Sequence, residues 1–147
     1  MLKFMNEEHK NNFIELLKRD KTFKGDCYRV PFFYLLSTDL TFNSIDKIYD
    51  FKEGLIKDVD VADKECFSSS ARRLIRLAIN LFANHRYEDQ ESVMDIFSVL
   101  DDERHMIALH SIDMRMRYYA YEKSVVEDFY NENNLTHEHV NWWKCIF

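Results

Sequence analysis

Glycine and proline are almost missing from this chain, with two and one respectively among 147 residues. A turn-rich β-sandwich or barrel needs both residue types at its corners, so that class is excluded. With Gly25 and Gly54 as the whole supply, neither a P-loop nor a dinucleotide-binding glycine fingerprint can be written. Long apolar runs are missing too. No stretch approaches the roughly 18 residues of a membrane-spanning helix, and residues 1–10 lack the apolar centre of a secretory signal. The cysteines Cys27, Cys66 and Cys145 are odd in number and far apart, which fits neither zinc spacing nor a disulfide framework. The expectation is a soluble, cytoplasmic protein with reduced thiols.

What is present favours helices. The chain is 46% hydrophobic and 15% aromatic, too rich in both to remain disordered. At this length folding buries roughly 70% of the extended surface, enough for one domain over residues 1–147. Asn6 reads as an N-cap, with Glu7 and Glu8 in the first turn and Phe13, Leu16 and Leu17 as the apolar stripe. Gly25 closes the connection, and Asp26 caps a second helix to about Leu36, with Pro31 near its first turns and a kink allowed there. Asn43 or Ser44 opens a short helix carrying Ile45, Ile48, Tyr49 and Phe51. Residues 52–67 scatter Leu55, Ile56, Val59 and Val61 among charges, the pattern of an ordered loop or one short strand. One of Ser68, Ser69 and Ser70 caps the next helix, whose face is Ala71, Leu74, Ile75, Ala78, Leu81 and Phe82. Ser92 with Asp95 forms a capping box for a helix to Leu100. Asp101 or Asp102 caps the longest helix, with a seam of His105, Leu109, Ile112, Met116 and Tyr119, widened by Met106 and Ile107. Residues 131–134 end the helical run, and Thr136 caps a terminal turn. The fold class is all-α, a single compact domain of about six or seven helices.

Several segments carry a resemblance: Met1-Leu-Lys-Phe-Met-Asn-Glu-Glu-His9, Ile48-Tyr-Asp-Phe51, Ser69-Ser-Ala-Arg-Arg-Leu-Ile-Arg-Leu-Ala-Ile-Asn-Leu-Phe82 and Asp95-Ile-Phe-Ser-Val-Leu-Asp-Asp102. Together they resemble a family of small uncharacterised proteins of Gram-positive bacteria and their phages, over about the first 115 residues. The resemblance implies a mobile-element context. It supplies no activity and no catalytic residue.

Charge is arranged in blocks. Between Cys66 and Arg86 lie Arg72, Arg73, Arg76 and Arg86 and no acid. Between Tyr87 and Glu103 lie Glu88, Asp89, Glu91, Asp95, Asp101, Asp102 and Glu103 and no base. Arg73, Arg76, Asn80 and Asn84 share one helix edge, with Arg72 beside it. Arginine forks bind carboxylate or phosphate, so this edge either clamps the acidic segment or holds a phosphate-bearing ligand. The acids either serve helix starts or form a surface imitating nucleic-acid phosphate, whose binding would be steep in salt. A net charge of −6 argues against direct nucleic-acid binding.

Catalytic signatures are weak. On a helix His137 and His139 point some 200° apart, and His105 and His110 diverge, so no metal is assigned. No serine sits in a nucleophile elbow, and a free cysteine usually packs as a small hydrophobe. No catalytic residue and no cofactor are assigned. The tail from residue 119 to 147 is aromatic, with Tyr119, Trp142, Trp143 and Phe147 as candidate interface anchors, towards a partner or a second copy, unless it completes the core. The expected function is a non-enzymatic acidic interaction module, phage-encoded in the context implied by the resemblance, that binds and modulates a host protein. Inhibition of a nucleic-acid-handling defence complex is one version. The alternatives are a nucleotide-binding protein using Arg72, Arg73 and Arg76, and a hydrolase of unrecognised type.

Overall fold

The computed structural model describes residues 1–89 and 92–135. Short-range chemistry explains where its helices begin. Asn6 lies in extended backbone and accepts the His9 amide, opening α1 (Glu7–Asp20) with Glu7 and Glu8 at the positive end of the dipole. Lys21 ends α1 in left-handed backbone, φ 56°, without a glycine. The Asp26 carboxylate accepts the Tyr28 and Arg29 amides and so starts α2 (Arg29–Leu36). A 3₁₀ turn (Phe42–Ser44) leads into α3 (Ile45–Ile48). Ser68 caps α5 (Ser69–Ala83), the Ser92–Asp95 capping box opens α6 (Val93–Phe97), and Asp101 caps α7 (Asp102–Met116). The chain then runs through α8 (Tyr118–Tyr121), a π-helical turn (Glu122–Val126) and α9 (Glu127–Glu132).

The stretch after α3 departs from the expected single strand or loop. Tyr49 leaves the helix for extended backbone, and β1 (Tyr49–Asp50) pairs antiparallel with β2 (Leu55–Ile56), Tyr49 opposite Ile56. Gly54 takes φ 72° in the connecting turn, where a side chain would be strained. The hairpin is followed by α4 (Val61–Lys64). Tyr49 and Phe51 therefore do not extend the third helix, and α6 stops at Phe97 instead of Leu100.

α2 is the centre. All eight of its residues are buried, packed against α1, α5 and α7, which is the pattern of a helix apolar on every side. Its one charge is satisfied in place. Arg29 donates to the Asp26 carboxylate (3.0 Å), the Tyr49 hydroxyl (3.0 Å) and the Gly54 carbonyl (2.6 Å). Tyr49 in turn donates to Asp20 (2.8 Å), which also receives the Thr22 hydroxyl (2.6 Å). This sealed network ties the end of α1, the start of α2 and the hairpin together. His9 is equally enclosed: Met5 N–H donates to its Nδ1, so Nε2 carries the proton and donates to the Tyr34 carbonyl at 2.8 Å.

The seam expected for α7 is a correction. Its buried face is Ile107, Ala108, Ser111 and Met114, while His105, Leu109, Met116 and the following Tyr119 are exposed, with Met106 at the margin. α7 packs against α2 and α5, and the stripe it buries includes the small residues Ala108 and Ser111. Ile112 is half-buried between the two faces. On α5 the expected face is buried except for Leu81, which is partly open. Among the described residues no helix is long and apolar enough to cross a membrane.

Candidate functional site

The basic edge of α5 lies beside α4 and the loop that follows α5. Ser68 fixes the start of the helix, and Asn84 ends it in left-handed backbone, φ 54°, with its amide on the Asn80 carbonyl. The Asn80 side chain donates to the His85 carbonyl at 2.9 Å. The Asn80 side chain and the Asn84 backbone thus both help to turn the chain at the end of the helix.

Arg76 is the centre of the edge. Its Nη2 donates to Asp63 at 2.7 Å, and its Nη1 reaches both oxygens of Asp89 at 2.8 and 2.9 Å. The guanidinium also stacks on the Tyr87 ring, 4.4 Å from its centroid. Tyr87 is held by donating its hydroxyl to the Val59 carbonyl (2.7 Å), and His85 packs edge-on against it. Burial opposes the charge of Arg76, and the bonds from Asp63 and Asp89 outweigh it, so the guanidinium sits above its ordinary pKa. Its bond draws Asp63 below the usual carboxylate range, with Arg72 adding to the pull. Arg72 donates to the same Asp63 at 2.7 Å and lies 3.7 Å from Asp89. Arg73 is half-buried on the other flank, and its charge helps to lower Asp95, which is held chiefly by its bonds to Ser92.

Beside this cluster is a cleft of about 420 Å³ lined by Arg76, Leu77, Asn80, Arg86, Tyr87 and Ile96. On the far side of Arg76 the surface is acidic, with Asp60, Asp63, Glu88 and Asp89. Arginine and carboxylate meet here, as the sequence allowed. One of the two acids was not legible, because Asp63 is supplied by α4 and precedes the basic block. Only Asp89 comes from the acidic segment.

The rest of that segment divides in two. Asp95 belongs to the capping box, and Asp101 accepts the Arg104 amide and pairs with its guanidinium, which also reaches Asp39. Glu88, Asp102 and Glu103 are exposed and form no ion pair among the described residues. Next to them stand apolar side chains open to solvent, Val93 at 70% and Met94 at 72% exposure. Glu91, Trp142, Trp143 and Phe147 lie outside the described residues, as do Cys145, Thr136 and the His137-Glu138-His139 run. Tyr119 is exposed, whereas its neighbour Tyr118 is buried and donates to the Lys24 carbonyl. No group of three or more metal-ligating side chains occurs among the described residues.

The sequence reading missed three things. Asp63 and Tyr87 are partners of Arg76 without any local spacing to announce them. The sealed Arg29 network did leave a trace, an Asp three residues before an Arg in an otherwise apolar helix. The chain belongs to a family of unknown function (DUF6075), whose model matches residues 1–128 and so extends past Met116. No curated protein and no solved structure matches it.

Proposed function

We propose that this chain is a non-enzymatic protein-interaction module that presents the acidic and apolar surface around α6 to a basic surface on another protein. The observation that carries this reading is the exposure of Val93 and Met94 inside a segment whose Glu88, Asp102 and Glu103 meet no base within the described chain. Apolar anchors exclude water from a contact while surrounding charge selects the partner and speeds encounter. In the mobile-element context implied by the sequence resemblance, that partner is a host protein with a nucleic-acid groove, and occupancy of the groove inhibits it.

The test is capture of host proteins on the immobilised chain at low and moderate salt, with Asp102→Lys/Glu103→Lys and Val93→Asn/Met94→Gln alongside. Asp101 is left intact because it caps α7. A partner should be retained at low salt, be released steeply as salt rises, and be lost with either double variant. Failure to retain any partner at low salt, or retention indifferent to both variants, overturns the reading. The cleft beside Arg76, with Arg86 and Tyr87 in its wall, supports a nucleotide-binding function as the second reading. It requires a phosphate to displace Asp89, so thermal shift with nucleotides should respond to Arg76→Ala, and no shift with any nucleotide removes it.

A further inference from the structure

α7 has two apolar stripes. Ile107, Ser111, Met114 and, just beyond the helix, Tyr118 face the core. His105, Leu109, Ile112 and Met116 repeat the same four-three-four spacing on the other side, with His105 edge-on to Phe97 and Ile112 leaning partly on the core, and Tyr119 stands exposed just beyond the turn at Arg117. At 100° per residue the stripes lie roughly 160° apart. Leu109, Met116 and Tyr119 are 51%, 77% and 72% exposed. The outer stripe has the 3.5-residue period of a coiled-coil seam, which keeps facing a second helix and does not drift around the surface.

We infer that this seam pairs with the same seam of a second copy, antiparallel about a two-fold axis. Charge selects that occupant. Asp102 and Glu103 stand at one end of the seam and Lys123 at the other, while Asp101 is paired with Arg104, Arg117 with Asp113, and Arg115 donates to the Leu81 carbonyl. An antiparallel pair lays the acidic end of each copy over the basic end of its mate and sets the helix dipoles in opposition, whereas a parallel pair would place like charge on like. Three of these charged groups are open to a second copy. Asp102 and Glu103 meet no base among the described residues, and Lys123 donates to the Tyr119 hydroxyl at 2.7 Å without meeting a carboxylate. In the register that packs knobs against holes, Leu109 meets the second copy's Ile112 and His105 meets its Met116. Asp102 then meets Tyr119 and the Lys123 amine resting on it.

This surface is separate from the α6 face of the proposed function, and its test does not use a foreign partner. Sedimentation equilibrium of the full chain should give about twice 17.8 kDa at micromolar concentration. Leu109→Lys should raise the dimer dissociation constant at least about 30-fold, as loss of a central anchor does, with the helical circular dichroism unchanged. Asp102→Lys and Lys123→Asp should each weaken the dimer, and the two together should restore it. A monomer at every concentration overturns the inference, whether the seam is then covered by another segment of the chain, read as a lowered Tm of Leu109→Lys, or by a different protein. A dimer indifferent to Leu109→Lys, or a charge swap without rescue, overturns it equally.

Discussion

Arg29 and Arg76 are both multiply bonded arginines on helices of the core layer, and they stand in opposite settings. Arg29 is 1% exposed, and its acid Asp26 is buried with it. The Arg76 side chain is 6% exposed, but its acids Asp63 and Asp89 are open to solvent at 35% and 52%. Burial opposes the charge at both sites, and in both the partners prevail and hold the guanidinium above its ordinary value. The difference lies in what the partners can do. Asp26 has no solvent to exchange with, so its bonds to Arg29 hold the architecture together. Asp63 and Asp89 can trade Arg76 for water, and Arg76 can take another anion in their place, so that cluster holds loop against helix by an exchangeable contact.

The comparison can be broken most severely at Arg29. Arg29→Met leaves Asp26 buried without its cation and Tyr49 and Gly54 without their donor, and about 3–5 kcal/mol of stability should be lost in urea unfolding. Arg76→Met loses the stacking on Tyr87 but releases two acids that water can solvate, so the same measurement should show about 1–2 kcal/mol. If the two losses are equal, the sealed and open settings do not differ as argued. Acid sharpens the contrast through His9. Burial holds its pKa below the ordinary value of 6.5, outweighing the Tyr34 carbonyl and Asp39. The neutral ring therefore contributes stability that is complete above 6.5 and is lost as pH falls through the lowered folded value. The urea midpoint should drop over that window, and His9→Gln should flatten the drop. Asp89→Asn is the mildest change. It should cost less than about 1 kcal/mol while increasing amide exchange in residues 84–89.

Helix starts were legible because caps are local. Asn6, Asp26, Ser68, Ser92 and Asp101 each act on amides two or three residues ahead, so residue type and spacing state the whole interaction. The candidate site was half legible. The arginine spacing on α5 marked a cluster, and Asp89 stood in the adjacent acidic block. Asp63 and Tyr87 could not be placed, because they reach Arg76 through the folding of α4 and the post-α5 loop. Tyr49 was read as helical because its apolar spacing fits a helix, and the bond of its hydroxyl to Asp20, 29 positions away, carries no periodic signal.

The near-absence of glycine and proline by itself excluded a turn-rich β fold and a glycine-rich phosphate-binding loop, and the apolar spacing with its caps made the chain helical. Its helices carry more than one apolar stripe. Only the tertiary structure decided which of those stripes are buried. α7 carries two stripes of the same period, and in the fold, where it packs against α2 and α5, the buried one is Ile107, Ser111 and Met114 together with Ala108. Leu109 and Met116 were left outside. Periodicity counts apolar residues, and close packing selects among them by volume.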